Sequence, residues 1–475
     1  MNVIPLVDTL PADLLTPLAV YLKLAGDGRN SFLLESVEGG EALARYSFIG
    51  ADPHLTVSGG TSSITVTTAG STIEKGVPLW DYLRGHFEGQ GTSADAELPS
   101  FIGGAIGYFG FNCSKWFEPS LRNNDSTSPD AEFMFFRTIV AFDHAKQTIK
   151  LISLVFEDEV RDRGEVANVE AQARNAAVRQ ILENDTFSVP KPQIIEAATP
   201  TRSNWEKEDF ESAVEDAKEL IKAGDCYQVV LSQCFARRTQ ATPVAIYRAV
   251  RSLNPSPYMF LLQFSEKAII GASPEMLVRA RGKDLEYRPI AGTRPRGKTP
   301  DEDACLAKEM REDAKEVAEH QMLVDLGRND LGRVAKYGTV KVDQLMNVEK
   351  YSHVQHLVSS LAAELGDGFD RFDAFAACFP AGTVSGAPKV RAIEIIQRLE
   401  PSDRGVYAGA VGYFDYSGNM DTCIAIRTLV LANGTATVQA GAGIVADSVP
   451  AKEFEETVNK AKGMLRAVDI AEGKI

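Results

Sequence analysis

Cysteine is present but never organised. Cys113, Cys226, Cys234, Cys305, Cys378 and Cys423 form no CxxC pair and join no His/Cys cluster, so neither a disulfide framework nor a zinc site is expected. Long apolar runs are missing too: nothing approaches the roughly 20 residues of a membrane span. The N-terminal MNVIPLVDTLPADLL carries acids and prolines where a signal peptide needs a cationic end and an apolar run. A reducing, cytoplasmic location and no membrane partner are expected. Positive charge is also short. Fifty Lys and Arg against 65 Asp and Glu leave a formal −15, which speaks against a nucleic-acid or anionic-membrane binder. Any site for a small anion must then be built from a few cations, helix N-termini or a metal.

What is there suits a large globular protein: 475 residues exceed one simple core. Residues 1–185 read as mixed strand and helix, with alternating runs such as SSITVTTAGSTI and FFRTIVAFD, a polar loop at EPSLRNNDSTSPD and a long helix predicted over 156–183. Proline-bearing residues 185–205 read as a linker between this N-terminal region and a second region, 206–475. There the strands (KAIIGA, DLEYRPI, GAVGYFDY, TCIAIRTLVL, TATVQAGAGIV) come in clusters, which fits α+β better than a regular βαβ repeat.

Two acidic helix faces carry the clearest chemistry. CLAKEMREDAKEVAEHQMLVDLGR has no glycine or proline before Gly327, which places Glu316 and Glu319 one turn apart on one face. In SVPAKEFEETVNKAKGML, Pro450 suits a first helical turn and Glu453, Glu456 and Lys460 stack together. Such carboxylate pairs can serve Mg2+, a hard ion that keeps several waters. Spacing alone equally fits solvated faces, with Glu456–Lys460 a surface ion pair. FPAGTVSGAPKVRAIEII runs from a Gly/Ser/Thr turn into a helix expected to begin at Pro388, with Lys389 and Arg391 nearby, an anion-binding pattern without the Walker ending. EYRPIAGTRPRG reads as a strand end and a compact turn with two arginines. QAGAGIVADS formally fits GxGxxA but lacks the following strand and acid of a dinucleotide site.

Taken together, GASPEMLVR, PIAGTRPRG, AEHQMLVDLGRNDLGRV, FPAGTVSGAPKVRAIEII, YAGAVGY, AIRT and AGAGIVADSVPAKEFEETVNK, in this order, resemble the chorismate-utilising enzymes; TPLAVYLKL, LLES and ARYSFIG extend the likeness towards the N-terminus. The resemblance implies a composite α+β fold of β-sheets with flanking helices. It implies Glu319 and Glu456 as Mg2+ ligands, with Glu316 and Glu453 completing the carboxylate set. By the same likeness Tyr407 and Arg427 hold the enolpyruvyl side chain of chorismate, and Lys460 with the backbone at Gly441 and Gly443 fixes the carboxylates. Thr383 and His356 line the ring, His356 being read on a helix within YSHVQHL. Glu275 is the implied general acid: hydroxide leaves poorly, so the C4 hydroxyl needs a proton as its bond breaks. The apolar strand before Glu275 is expected to raise its pKa.

Two positions narrow the likeness. Water-adding relatives carry a lysine where this chain has Gln228, and glutamine is no general base, whereas ammonia is already a nucleophile. Many aminodeoxychorismate synthases have a lysine where PIAGT has Ala291, so direct amination at C2 is expected. The chain thus resembles anthranilate synthase component I, with aminodeoxychorismate synthase component I as the alternative. That likeness implies a separate glutamine amidotransferase subunit as the ammonia source. It also implies feedback inhibition by L-tryptophan at a site formed by Glu35, Ser36, Pro257, Tyr258 and Met259, with an indole slot lined by Tyr258 and Met259 and the ammonium group met by Glu35 or backbone carbonyls.

Overall fold

The run KAIIGAS is apolar on both faces, and the strand it forms, Lys267–Ser273, is buried at every position but its first. Such a strand needs cover on both sides. It lies inside the first of two 12-stranded sheets of the computed structural model, which describes residues 2–474 except 27–29, 37–44, 93–96, 122–128, 185, 187–198 and 352–353. The middle of this sheet runs Ser31–Glu35, Tyr258–Gln263, Lys267–Ser273, Thr428–Ala432, Thr435–Ile444, Gln228–Arg238, each antiparallel to the next. The middle of the second runs Val354–Glu364, Asp284–Tyr287, Met276–Arg281, Met420–Ile424, Ala410–Asp415, Gly104–Phe109, again antiparallel. This is the α+β arrangement of large sheets with flanking helices that the sequence led us to expect.

Strands from the N-terminal 185 residues extend both sheets: Ser31–Glu35 pairs with Tyr258–Gln263, and Gly104–Phe109 with Ala410–Asp415. One apolar cluster joins Phe32, Phe260 and Ile269 of the first sheet to Phe109, Phe133 and Phe414 of the second. Phe372 stacks on Phe414 with centroids 4.7 Å apart. On its other side the first sheet is covered by helices Pro243–Leu253 and Pro450–Ala471, which bury Tyr247, Met464 and Val468 in a second cluster.

Several local expectations change. The helix expected over 156–183 is two, Glu157–Arg163 and Glu165–Asn184, because Gly164 takes φ +58. The first acidic segment is also two helices, Pro300–Glu312 and Ala314–Gly332; Asp313 turns extended and its carboxylate caps the second, leaving Glu316 and Glu319 one turn apart there. Pro388 is the cap before helix Lys389–Leu399, not its first residue. TCIAIRTLVL is broken into Met420–Ile424 and Thr428–Ala432, which belong to different sheets. The turn expected in PIAGTRPRG is itself a strand, Ile290–Pro295. His356 lies on strand Val354–Glu364 and not on a helix. Most of the expected linker, and the centre of the loop at 118–130, lie outside the described residues.

Candidate active site

Two chain crossings build the centre of the site. After Ser273 the chain leaves the first sheet through Pro274 and Glu275 and enters the second at Met276; after Ile424 it returns through Arg427 to Thr428. The crossings are neighbours because their strands pair on both sides: Gly271 with Thr428, Met276 with Cys423. The Ile424 N–H donates to the Glu275 carbonyl at 3.0 Å, and the Ala272 N–H to the Arg427 carbonyl at 3.1 Å. The Ser273 hydroxyl donates to the Ile424 carbonyl at 2.7 Å. Arg427 sits at φ +48, an uncommon conformation for a side chain this large, which these paired strands hold in place.

Both side chains line a cavity of about 550 Å³. Glu275 is 5% exposed, and burial pushes its carboxyl up to about 8 against the opposing pull of the Thr383 hydroxyl, the Ile290 N–H and the Arg427 guanidinium. Thr383 Oγ1 is buried and makes no hydrogen bond short enough to satisfy it among the described residues. Burial likewise lowers Arg427 and His356. His356 Nδ1 lies 3.1 Å from the Gly292 carbonyl and 3.0 Å from the Thr293 hydroxyl; a proton on Nδ1 would satisfy the carbonyl and leave Nε2 of the neutral ring as an acceptor.

The opposite wall is strand Thr435–Ile444. A Cβ at Gly441 would lie 2.7 Å from Tyr407 Oη, and one at Gly443 would lie 2.4 Å from Gln228 Nε2, so both glycines make room for a cavity side chain. Lys460 Nζ donates to the Gly441 carbonyl at 3.0 Å and pairs with Glu456 at 2.7 Å. The surface-pair reading of these two is therefore seen, at the edge of the same cavity. Gln439, Lys315 and Asn254 also line it. Reading motifs alone misses them, although the strand alternation leading to Gly441 and the first turn of the acidic helix point at the first two.

Glu319, Glu453 and Glu456 share this cavity, while Glu316 does not reach its wall and is paired with Arg294 at 3.0 Å. Glu319 is pushed up by burial and then by Glu316 and Glu456; Glu453 is pushed up by burial and by Glu456, with Ser448, Lys315 and Lys460 pulling back. Among the described residues no three His, Cys, Asp or Glu side chains form a closed metal cluster. Mg2+ typically takes one or two carboxylates and shares the rest of its shell with water and substrate. Crowded carboxylates on two facing helices fit such an ion, because its charge relieves their repulsion.

The basic residues beside the Gly/Ser/Thr turn and after strand Ile290–Pro295 are already engaged. Lys389 forms a buried pair with Asp330 at 2.9 Å, and Arg391 pairs with Asp225 and Glu394. Lys389 and Arg391 are therefore not the free cations expected beside that turn. Arg296 is held by Asp303 at 2.6 Å.

A second cavity, about 670 Å³, is lined by Glu35, Ser36, Pro257, Tyr258 and Met259 together with Arg279 and Asp421. Here the structure alters the roles expected. Glu35 and Met259 are cross-strand partners. Glu35 accepts from the Tyr247 hydroxyl at 2.5 Å and from Arg251 Nε at 3.1 Å, so its charge is already matched and it is not a free partner for an ammonium group. Met259, 1% exposed, packs in the helix-side cluster with Tyr247. Tyr258 turns the other way, as consecutive strand residues must, and its hydroxyl donates to Asp421 at 3.1 Å. Tyr258 and Met259 thus both border the cavity, with their side chains on opposite faces of one strand.

The chain matches the chorismate binding enzymes over residues 31–466. It is 46% identical to anthranilate synthase component 1 of Acetivibrio thermocellus, covering 99% of this chain and 96% of that protein, and 45% identical to the Aquifex aeolicus protein of the same name with the same coverage. The crystal structure of anthranilate synthase component I from Streptococcus pneumoniae superposes with a TM-score of 0.76 at 35% identity, covering 96% of this chain and 98% of that one. The menaquinone-specific isochorismate synthase of Escherichia coli has the same fold, with a TM-score of 0.73 at 21% identity, covering 98% of this chain and 94% of that one.

Proposed function

The chain belongs to the chorismate binding enzymes, within them to the anthranilate synthase component 1 family, and from that premise we propose that it converts chorismate and ammonia to anthranilate and pyruvate. The observation that carries the mechanism is Glu275: a buried carboxyl with a pKa of about 8, beside Arg427 in one cavity. At neutral pH it keeps its proton and can deliver it to the departing C4 hydroxyl while ammonia adds at C2. Arg427 and Tyr407 hold the enolpyruvyl side chain, and Lys460 with the Gly441 backbone fixes a carboxylate. Thr383 lines the ring, and the neutral His356 has Nε2 available to accept a proton during aromatisation. Gln228 and Ala291 both line the cavity and offer neither a base for water nor an amine nucleophile. That favours direct amination over hydration and over the aminodeoxychorismate alternative.

Glu319 and Glu456 would hold Mg2+, with Glu453 close by and Glu316 behind them; when bound, the ion supplies positive charge for the ring carboxylate. A separate glutamine amidotransferase subunit supplies the ammonia. In keeping with this, burial raises the thiols of Cys113, Cys226, Cys234, Cys378 and Cys423, the reverse of what a thiolate nucleophile needs. L-tryptophan acts as feedback inhibitor in the second cavity, its indole against Tyr258 and its ammonium met by backbone carbonyls. A cytoplasmic setting suits the six free cysteines; no helix among the described residues is long and apolar enough to cross a membrane. The test of the activity is incubation with chorismate, Mg2+ and ammonium: anthranilate fluorescence is expected, and a para-amino or hydroxylated product would refute the reading.

A further inference from the structure

Outside the cavity, in the loop between helix Lys389–Leu399 and strand Ala410–Asp415, Arg404 and Glu400 form an ion pair with side chains only 1% and 4% exposed. Arg404 spends four of its five N–H donors at once. Nε and Nη2 grip the two Glu400 oxygens at 2.9 and 2.7 Å, Nη2 also donates to the Val230 carbonyl at 2.7 Å, and Nη1 donates to the Val384 carbonyl at 2.7 Å. Its guanidinium also lies 5.6 Å from the centre of the Tyr407 ring. Glu400 in turn accepts from the N–H and the hydroxyl of Ser232, both at 2.8 Å, and Ser232 Oγ accepts from Gln439 at 2.9 Å.

Four groups of this network reach the cavity, whereas the nearer ring contact of Arg404, Phe111 at 4.6 Å, lies outside it. Val230, Val384, Tyr407 and Gln439 line it, and Val384 follows Thr383 in the four-residue helix Gly382–Ser385. That short helix has no side-chain cap, and the Val384 carbonyl is one of the groups a helix end leaves unpaired. A buried charge pair is costly unless every donor and acceptor is met, and here they are met by the backbone of two separate cavity walls. A lysine would keep the charge but could not bridge three acceptors in one plane.

We propose that the buried Arg404–Glu400 pair is a positioning pair for the reaction, setting Thr383 and Tyr407 against the substrate without touching it. The proposal rests on the reading of Thr383 and Tyr407 as working residues. A displacement of about 1 Å in such groups can cost on the order of 100-fold in rate.

The test is a double-mutant cycle on kcat/KM, with circular dichroism to confirm that each variant is folded. Arg404→Lys is expected to lose roughly 10- to 100-fold, nearly as much as Arg404→Met, because the fork and not the charge does the positioning. Thr383→Ala should cost much less in the Arg404→Lys background than in the wild type, since the hydroxyl is already misplaced. Glu400→Gln, which keeps the shape and the Ser232 acceptor, provides the same cycle should Arg404→Lys not fold. Independent, multiplicative losses, or recovery by lysine, overturn the positioning role while leaving the site intact. A Thr383→Ala variant as active as wild type, with Tyr407→Phe also unaffected, overturns the reading of the site and the positioning role with it.

Discussion

Glu275 and Arg427 stand on adjacent crossings between the two sheets, each with its main chain bonded to the strand that bears the other: Ile424 N–H to the Glu275 carbonyl, Ala272 N–H to the Arg427 carbonyl. The acid and the cation are therefore fixed by the same four paired strands. Burial, not a neighbouring carboxylate, raises Glu275, and the Thr383 hydroxyl, the Ile290 N–H and then Arg427 limit the rise.

This gives a pH dependence with a definite sign. Burial lifts the Glu275 carboxyl from 4.5 to about 8, so over that range the folded chain holds a proton that the unfolded chain releases. Stability contributed by this group therefore falls as pH rises between those values, and Glu275→Gln should remove that part of the slope in denaturant titrations. With the concentration of free ammonia held constant, kcat should fall as pH rises through about 8. A kcat that is flat to pH 10 would rule out Glu275 as the acid.

Chelation of Mg2+ should abolish turnover reversibly. Glu319→Gln or Glu456→Gln should lower activity by at least ~100-fold at ordinary Mg2+, with part of the loss restored at high Mg2+. Glu316→Gln should cost less, because that carboxylate is paired with Arg294 and lies off the cavity wall. Equal losses at all three positions would argue against this division of roles.

Tyr258 and Met259 both border the second cavity, but the Met259 side chain packs in the helix-side cluster. Substituting Ser36 should relieve inhibition by tryptophan while leaving uninhibited catalysis nearly intact. A coupling of ~1–3 kcal/mol would make the wild-type effect several-fold to hundred-fold, and chorismate should weaken tryptophan binding in return. Met259→Ala should instead destabilise the fold by about 2–5 kcal/mol, since it empties a packed site in the helix-side cluster. Indifference of the wild type to millimolar tryptophan would remove the inhibitor assignment.

Glutamine should support no activity in the isolated chain, whereas ammonium should. Glutamine-dependent turnover should appear on adding a glutaminase subunit. Turnover of glutamine by the pure chain would contradict the proposed division of labour.

The large elements were legible because burial writes them into the sequence: the apolar run at Lys267–Ser273 and the proline-started helix Pro450–Ala471 lie where pattern and capping put them. The motifs also named most of the residues that meet in the cavity. What the sequence hid was local and geometric. TCIAIRTLVL reads as one strand because every residue suits one, yet Arg427 breaks it to change sheets. Glu35 reads as a free acid because its partners, Tyr247 and Arg251, are more than two hundred residues away. Arg404 lies in none of the quoted motifs, and only the folded chain shows the carbonyls it holds.

The most direct measurement is product stoichiometry in a single incubation of the purified chain with chorismate, Mg2+ and ammonium, run beside Glu275→Gln. The account predicts anthranilate and pyruvate in equal amounts from the wild type. The variant should bind chorismate with near-wild-type affinity and form neither product. An aminated product that retains its enolpyruvyl group, a hydroxylated product, or a Glu275→Gln variant that turns over normally would contradict it.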